Sequence, residues 1–209
     1  GVGGGALRED EKGIRVARRV GGKRNVVRRG MRGGRAVRVR DHEGSVGSDQ
    51  WVEDGTHIVF GAADERGDEE EREREAGGDA IFVGEGPDGQ TAGQWNDLWI
   101  IEIDTKRETR LTESENRIGS FSVAPDRSSI VFTARTENRR NQGNLSEIHL
   151  LDIESGEIRA LTDNRSPEGR LTWAPDSRRI AYEAPSDGEW ELRLDKIWVM
   201  DIESGHRRI

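Results

Sequence analysis

Five groups of residues carry side chains whose types and spacing could support chemistry. A serine nucleophile on a strand-to-helix turn needs Gly-x-Ser-x-Gly. Gly44-Ser45-Val46-Gly47 and Gly119-Ser120-Phe121-Ser122 come nearest and neither fits, so no catalytic residue is expected. The run Asp68-Glu69-Glu70-Glu71-Arg72-Glu73-Arg74-Glu75 is dense in carboxylates. It has mixed signs and lacks the tight glycine turn around which Ca²⁺ ligands are spaced, so it reads as a solvated insertion. Glu189-Trp190-Glu191 pairs two carboxylates, which in principle could hold an amino group, but it reads better as an exposed loop. His42, His57, His149 and His206 are scattered, and no metal site is expected from them. Arg28-Arg29-Gly30-Met31-Arg32-Gly33-Gly34-Arg35 has the charge to bind phosphate. Residues 1–40 offer no aromatic ring for base stacking. Gly3-Gly4-Gly5 and Gly33-Gly34 lack a strand-to-helix context and a phosphate-binding Lys. Neither a cofactor nor a nucleic-acid partner is expected.

The elements that would position any site come from an internal repeat. Trp51-Val52-Glu53-Asp54-Gly55-Thr56-His57-Ile58-Val59-Phe60 aligns with Val123-Ala124-Pro125-Asp126 through Ile130-Val131-Phe132. Both align with Trp173-Ala174-Pro175-Asp176 through Ile180-Ala181-Tyr182. Each copy has a second half: Leu98–Lys106, Ile148–Gly156 and Ile197–Gly205. Leu111-Thr112 and Leu161-Thr162 close the first two copies. Pro125 and Pro175 preset φ for a β-turn, and Asp126 and Asp176 support it through their side chains. Alternation of Ile130 and Phe132 predicts a strand, and the near-continuous apolar run Ile148–Ile153 predicts one buried on both faces. Ser155-Gly156 and Ser204-Gly205 end that strand through a positive φ.

One copy is therefore a four-stranded meander that cannot bury its two apolar faces alone. Radial stacking solves this, so the expected fold class is all-β, a partial propeller of about three blades. The expected blades span about 46–112, 113–162 and 163–209. Trp51, Val123 and Trp173 occupy one position and are expected to fill the core between blades. Residues 1–45 are expected to be a basic Gly/Arg-rich extension, either disordered or a translation artefact. Three blades are too few for a ring of ordinary size, which implies a piece of a longer propeller.

Charge separates the two regions. Residues 1–40 hold 13 Lys+Arg against 3 Asp+Glu, which leaves 20 against 38 over residues 41–209. Residues 41–209 carry a net −18 inside a chain whose total is −8. Such a field repels nucleic acid and anionic membranes. The 29 Arg against 4 Lys, on an acidic background, suggest a halophilic source. There is no Cys, which fits a reducing compartment and leaves no thiolate for a metal. No window nears the ~18 apolar residues of a membrane span. The first twenty residues lack the apolar core of a secretory signal, so the expected location is the cytoplasm.

The Trp-x-Pro-Asp-x-x-x-Ile-Ala-Tyr element at Trp173–Tyr182 resembles the WD40-like repeat of TolB-type propellers. The resemblance extends over about residues 46–209. Val52-Glu53 stands where the other copies have Ala-Pro. The order of an opening strand at Ile58–Phe60, a charged insertion, a short strand at Asp79–Val83 and a strand at Leu98–Ile101 resembles the first blades of prolyl-oligopeptidase (S9) type serine peptidases. Leu161–Gly205 is similar to that family as well. The resemblance implies a propeller that caps a C-terminal α/β-hydrolase domain, absent here, and admits only peptide-sized substrates. The catalytic Ser, Asp and His of that family lie in the missing domain, so this chain would be non-catalytic. The alternative is a TolB-like, non-enzymatic propeller binding protein or polysaccharide through its face. That reading implies a periplasmic or extracellular location.

Overall fold

The computed structural model describes residue 42 and residues 46–63, 95–113, 117–135, 145–163, 166–186 and 194–209, together with the backbone of five short strands before residue 40. Those five are β1 (Ile14–Arg15), β2 (Arg18–Val20), β3 (Lys23–Asn25), β4 (Val27–Arg29) and β5 (Val37–Arg38). They pair as β1-β4-β5 and β2-β3, and β3 lies against the first strand of the repeat region. The expectation of a disordered extension over 1–45 thus falls mostly outside the described residues; the described part is strand.

The repeat region is all-β, with no helix among the described residues. The first blade is β6 (Val46–Trp51), β7 (His57–Ala63), β8 (Asn96–Glu102) and β9 (Glu108–Arg110). The second is β10 (Arg117–Val123), β11 (Ser129–Arg135), β12 (Glu147–Asp152) and β13 (Ile158–Ala160). The third is β14 (Gly169–Trp173), β15 (Arg179–Pro185), β16 (Asp195–Asp201) and β17 (Arg207–Arg208). Within each blade, consecutive strands pair antiparallel, and the sheets do not close on themselves. This is a partial propeller.

Burial follows the stacking. Val52, Val59, Leu98, Val123, Ile130, Phe132 and Leu151 form the core between the first and second blades. Ala124, Val131, Ile148, Trp173, Ile180, Tyr182 and Met200 form the core between the second and third. β11 therefore buries both faces, Ile130 and Phe132 one way and Val131 the other. Each repeat position at the end of an inner strand fills the interface with the preceding blade. Val123 does so for the second blade and Trp173 for the third. Trp51 packs half-buried on the outward face of the first blade, beside Phe60 and Trp99.

Polar groups lock these interfaces. The Trp173 indole Nε1–H donates to the Ser122 carbonyl at 2.9 Å, across the blade boundary. The Val123 amide donates to Gln50 Oε1 at 3.1 Å. Asn96 imitates a strand by accepting from the Ile118 amide at 2.9 Å and donating to its carbonyl at 2.8 Å. That is why β8 and β10 meet in a single parallel bridge, Asn96 to Arg117.

Each inner strand also slips register at one place, between Val46 and Asp49, Ile118 and Phe121, and Gly169 and Thr172. Gly47, Gly119 and Gly169 mark the bulge in the three copies. At Gly119 a Cβ would stand 2.6 Å from Thr133 Oγ1, an oxygen that accepts from the Ser120 amide at 3.0 Å.

The central strands carry one aromatic cross-strand pair per blade: Phe60 with Trp99, Phe132 with His149, and Tyr182 with Trp198. His149 stacks on Phe132 with centroids 5.5 Å apart, a packing role. Tyr182 alone brings a hydroxyl to this position. That oxygen is buried without a hydrogen-bond partner, although the Arg207 guanidinium is near. Burial pushes the Tyr182 pKa up, and Arg207 pulls the other way.

Two stability predictions follow from this packing. Trp173→Ala is expected to cost about 3–5 kcal/mol through cavity formation. Trp173→Phe, which keeps most of the bulk but removes the bond to the Ser122 carbonyl, should cost about 1–2 kcal/mol. Urea unfolding measures both, and near-zero changes would place Trp173 outside the interface. Tyr182→Phe is expected to raise stability by about 1 kcal/mol, because an unsatisfied buried hydroxyl is removed. A clear loss of stability in the same titration would show a bond that the hydroxyl makes.

Candidate functional site

The two edges of the blades differ. On one edge, the turn inside each blade's first hairpin meets the turn inside its second. The Ile103 amide donates to the Thr56 carbonyl at 2.9 Å, Ile153 to Ser128 at 2.9 Å and Ile202 to Arg178 at 3.0 Å. A meander that turns there must make its other connections at the opposite edge. Those connections are 64–95, 136–146 and 186–194 within blades, and 111–116 and 161–168 between them. The short-turn edge is closed by backbone bonds. The opposite edge carries the long connections and is the candidate binding face.

The turn edge is built by its aspartates. Asp54 Oδ1 accepts from the amides of Thr56 at 2.7 Å and His57 at 3.0 Å. Asp126 Oδ1 accepts from Ser128 at 3.0 Å, and Asp176 Oδ1 from Arg178 at 3.0 Å. Gly55, Arg127 and Ser177 follow these aspartates with φ of 68°, 68° and 54°. Pro125 and Pro175 precede Asp126 and Asp176 in the same turns. In the second turns Asp152 Oδ1 accepts from Ser155 at 2.8 Å and Asp201 Oδ1 from Ser204 at 2.9 Å. Gly156 and Gly205 then take φ of 73° and 69°. In the first blade Lys106 holds that conformation at φ 58°. The repeat residues singled out from the sequence therefore sit in turns or interfaces, except Trp51, which packs on the outward face of the first blade and not between two blades as expected.

His57 was not expected to join a carboxylate, yet its Nδ1 lies 2.7 Å from Asp54 Oδ2 and 2.9 Å from Thr56 Oγ1. The pair has the look of an Asp–His dyad. It is part of the closed edge, and the same carboxyl is committed to two backbone amides, so its work is to hold the turn. His42 lies 3.1 Å from Glu108 Oε2 and meets Phe60 and Trp99 edge-on, at 5.2 Å and 4.8 Å. It covers the outward face of the first blade. His206 is exposed in a turn. Among the described residues no group of three His, Cys, Asp or Glu could hold a metal ion.

The loop-bearing edge contains buried polar contacts that the sequence did not announce. Asp97 is fully buried, takes an ion pair from Arg110 and accepts from Thr112 Oγ1 at 2.5 Å. The same Thr112 oxygen accepts from the Leu98 amide at 3.0 Å. In the second blade Thr162 repeats this role, accepting from Ile148 at 2.7 Å and donating to buried Glu168 at 2.5 Å. The carboxylate comes from the same blade in one copy and from the next blade in the other, so no fixed spacing reveals it. Nearby, Arg117 and Arg135 face each other across β10 and β11. The acidic run 68–75, the strand expected at 79–83 and Glu189-Trp190-Glu191 lie outside the described residues.

Solved structures share this architecture. TolB from Acinetobacter baumannii superposes with a TM-score of 0.59 at 15% identity, over 88% of this chain and 37% of that one. An oligogalacturonate lyase from Vibrio parahaemolyticus gives 0.58 at 13% identity, over 90% of this chain and 46% of its own. Pyrococcus horikoshii acylaminoacyl peptidase gives 0.50 at 12% identity, over 78% and 24%. The likeness is one of fold: this is a TolB-like propeller architecture, found also in peptidases. The chain spans less than half the length of each of these proteins. No protein-family model matches it, and no curated protein does.

The turn carboxylates predict an acid response. Asp152 and Asp201 are held below the usual carboxylate range by the amides and hydroxyls of Ser155 and Ser204. Asp176 is lowered by the Arg178 amide and the Arg179 guanidinium. At Asp54 partial burial works upward but is outweighed by the Thr56 amide and by His57. A depressed folded pKa means the unfolded chain binds protons first, near pH ~4. The stabilisation is complete above that value and is lost as pH falls through the folded pKa values. Tm should therefore drop steeply below pH ~4, and Asp152→Asn with Asp201→Asn should flatten the slope while keeping the turns. An unchanged slope in the double variant would remove these carboxylates from the acid response.

Proposed function

We propose that this chain is part of the substrate-gating propeller of a prolyl-oligopeptidase-type serine peptidase, and is itself non-catalytic. The supporting observation is the first blade. Its two central strands, β7 and β8, are separated by residues 64–95, and that connection leaves from the open edge. The order of opening strand, charged insertion and Leu-Trp-Ile-Ile strand is the one seen in that family. A structural likeness to an acylaminoacyl peptidase is consistent with it. In this reading the loop-bearing edge faces peptide substrates, and hydrolysis belongs to an α/β-hydrolase domain in the same polypeptide. The acidic field over 41–209 favours peptides over nucleic acid or anionic membrane as partners, and the location is cytoplasmic.

A second reading has one observation in its favour. The TM-score to TolB, 0.59, is higher than that to the peptidase, 0.50. It makes the chain a non-enzymatic propeller that binds protein or polysaccharide, exported from the cytoplasm.

Sequencing the transcript through both ends of this segment separates the two. The expected result is further blades followed by a Gly-x-Ser-x-Gly element in an α/β domain. A stop codon after further blades alone would overturn the peptidase reading and leave the binding propeller.

A further inference from the structure

Several of the described arginines are answered. Arg110 pairs with Asp97, Arg179 with Asp176 at 2.7 Å, Arg170 with Glu183 at 3.2 Å, and Arg159 donates to the Ile202 carbonyl at 2.7 Å. Arg135 differs in being half-buried with an unpartnered donor. It ends β11 at the loop-bearing edge and is half-buried. Its Nε is fully buried and has no hydrogen-bond partner, and no carboxylate pairs with its guanidinium among the described residues.

The placement explains the isolation. Strand alternation puts Val131, Thr133 and Arg135 on one side of β11. Val131 shows that side to be the one facing the third blade. Glu147, the nearest acidic residue on β12, is the register partner of Ala134, which faces the first blade instead. Arg117, directly across the ladder, adds a second positive charge on the same side. Burial, and then Arg117, lower the Arg135 pKa. Two guanidinium groups thus lie opposite each other at the ends of β10 and β11, on the side of the sheet that faces the third blade, in a chain whose residues 41–209 carry a net −18. Keeping one of them half-buried and unanswered costs stability, and an arriving anion removes that cost.

We propose that Arg135, supported by Arg117, anchors the carboxylate of a peptide that docks on this edge. A guanidinium fork matches the planar carboxylate with two parallel bonds. The surrounding acidic field selects the kind of ligand. It repels a polyanion such as a polyuronate but attracts a peptide whose single carboxylate is offset by a basic group. The peptide class rests on the function proposed above, whereas the anion recognition rests on Arg135 alone.

The test is calorimetric titration of the whole chain with N-acetyl-Lys-Leu and with its C-terminal amide. The free acid is expected to bind at least about tenfold more tightly than the amide, as a charge-assisted bond requires. Arg135→Gln should erase that preference at an unchanged or higher Tm, since no native partner is lost. Arg135→Lys should restore part of it. Arg179→Gln, on the opposite edge, should leave it intact. Equal binding of acid and amide, binding of neither, or a preference that survives Arg135→Gln would each overturn the proposal. Tighter binding of digalacturonate than of the peptide acid would overturn it too. The transcript test of the peptidase reading is separate, so either idea can fail alone.

Discussion

A four-stranded blade of this repeat has apolar residues on both faces, and the structure depends on burying both. The second blade shows the consequence most clearly. β11 gives Ile130 and Phe132 to one neighbour and Val131 to the other, so it is stable only when flanked. No blade has a core of its own in which a single layer folds back on itself. The cohesive unit is the interface, in which the last residue of an inner strand meets the middle of the preceding sheet. Trp173 combines the two forces such an interface needs, a large apolar surface and one donor aimed at the Ser122 carbonyl. Val123 fills the same position with less bulk, and Gln50 supplies the polar link from the other side. The two boundaries therefore reach the same end with different chemistry, as a one-dimensional array permits when each unit answers only to its neighbours.

How much of this the residues revealed depended on whether the cause was local. Turns with Pro125-Asp126, Pro175-Asp176 and Ser-Gly at 155–156 and 204–205 are local: an Asp side chain bonds an amide two or three residues on, whatever surrounds it. The strands between them follow from alternation. The Gly47, Gly119 and Gly169 bulge was equally repetitive but carried no turn chemistry to flag it. At Gly119 its reason lies across the ladder, in the position of Thr133. Asn96 acting as a strand, and Thr112 and Thr162 each holding an amide and a carboxylate, need contacts 6 to 22 residues distant. A closing Leu-Thr was visible in two copies, but its purpose depended on Asp97 in one and Glu168 in the other.

The candidate site was less legible for the same reason. The residues that stood out by type, such as the four histidines, are absorbed into turns and aromatic packing. Arg135 did not stand out, because nothing in Thr133-Ala134-Arg135 distinguishes it from the other arginines of an Arg-rich chain. Its significance is relational: an arginine across from it, a carboxylate on the wrong face of the next strand, and a blade boundary beside it. A buried donor without a partner becomes visible only once the contacts around it are known.

The asymmetry of the two edges links this to function. At the turn edge every blade spends its aspartates on its own backbone, and Arg127 and Ser177 reach across to the preceding blade's turn. Asp54 lies 3.9 Å from Arg127, and the Asp126 amide donates to Ser177 Oγ at 3.0 Å. That edge has little left to offer a ligand. At the other edge the buried carboxylates Asp97 and Glu168 are likewise committed, but connections of varied length leave from it and the Arg135 Nε is, among the described residues, buried without a partner. A fold that stitches one rim shut while leaving charge and length at the other has concentrated its capacity to bind on a single face.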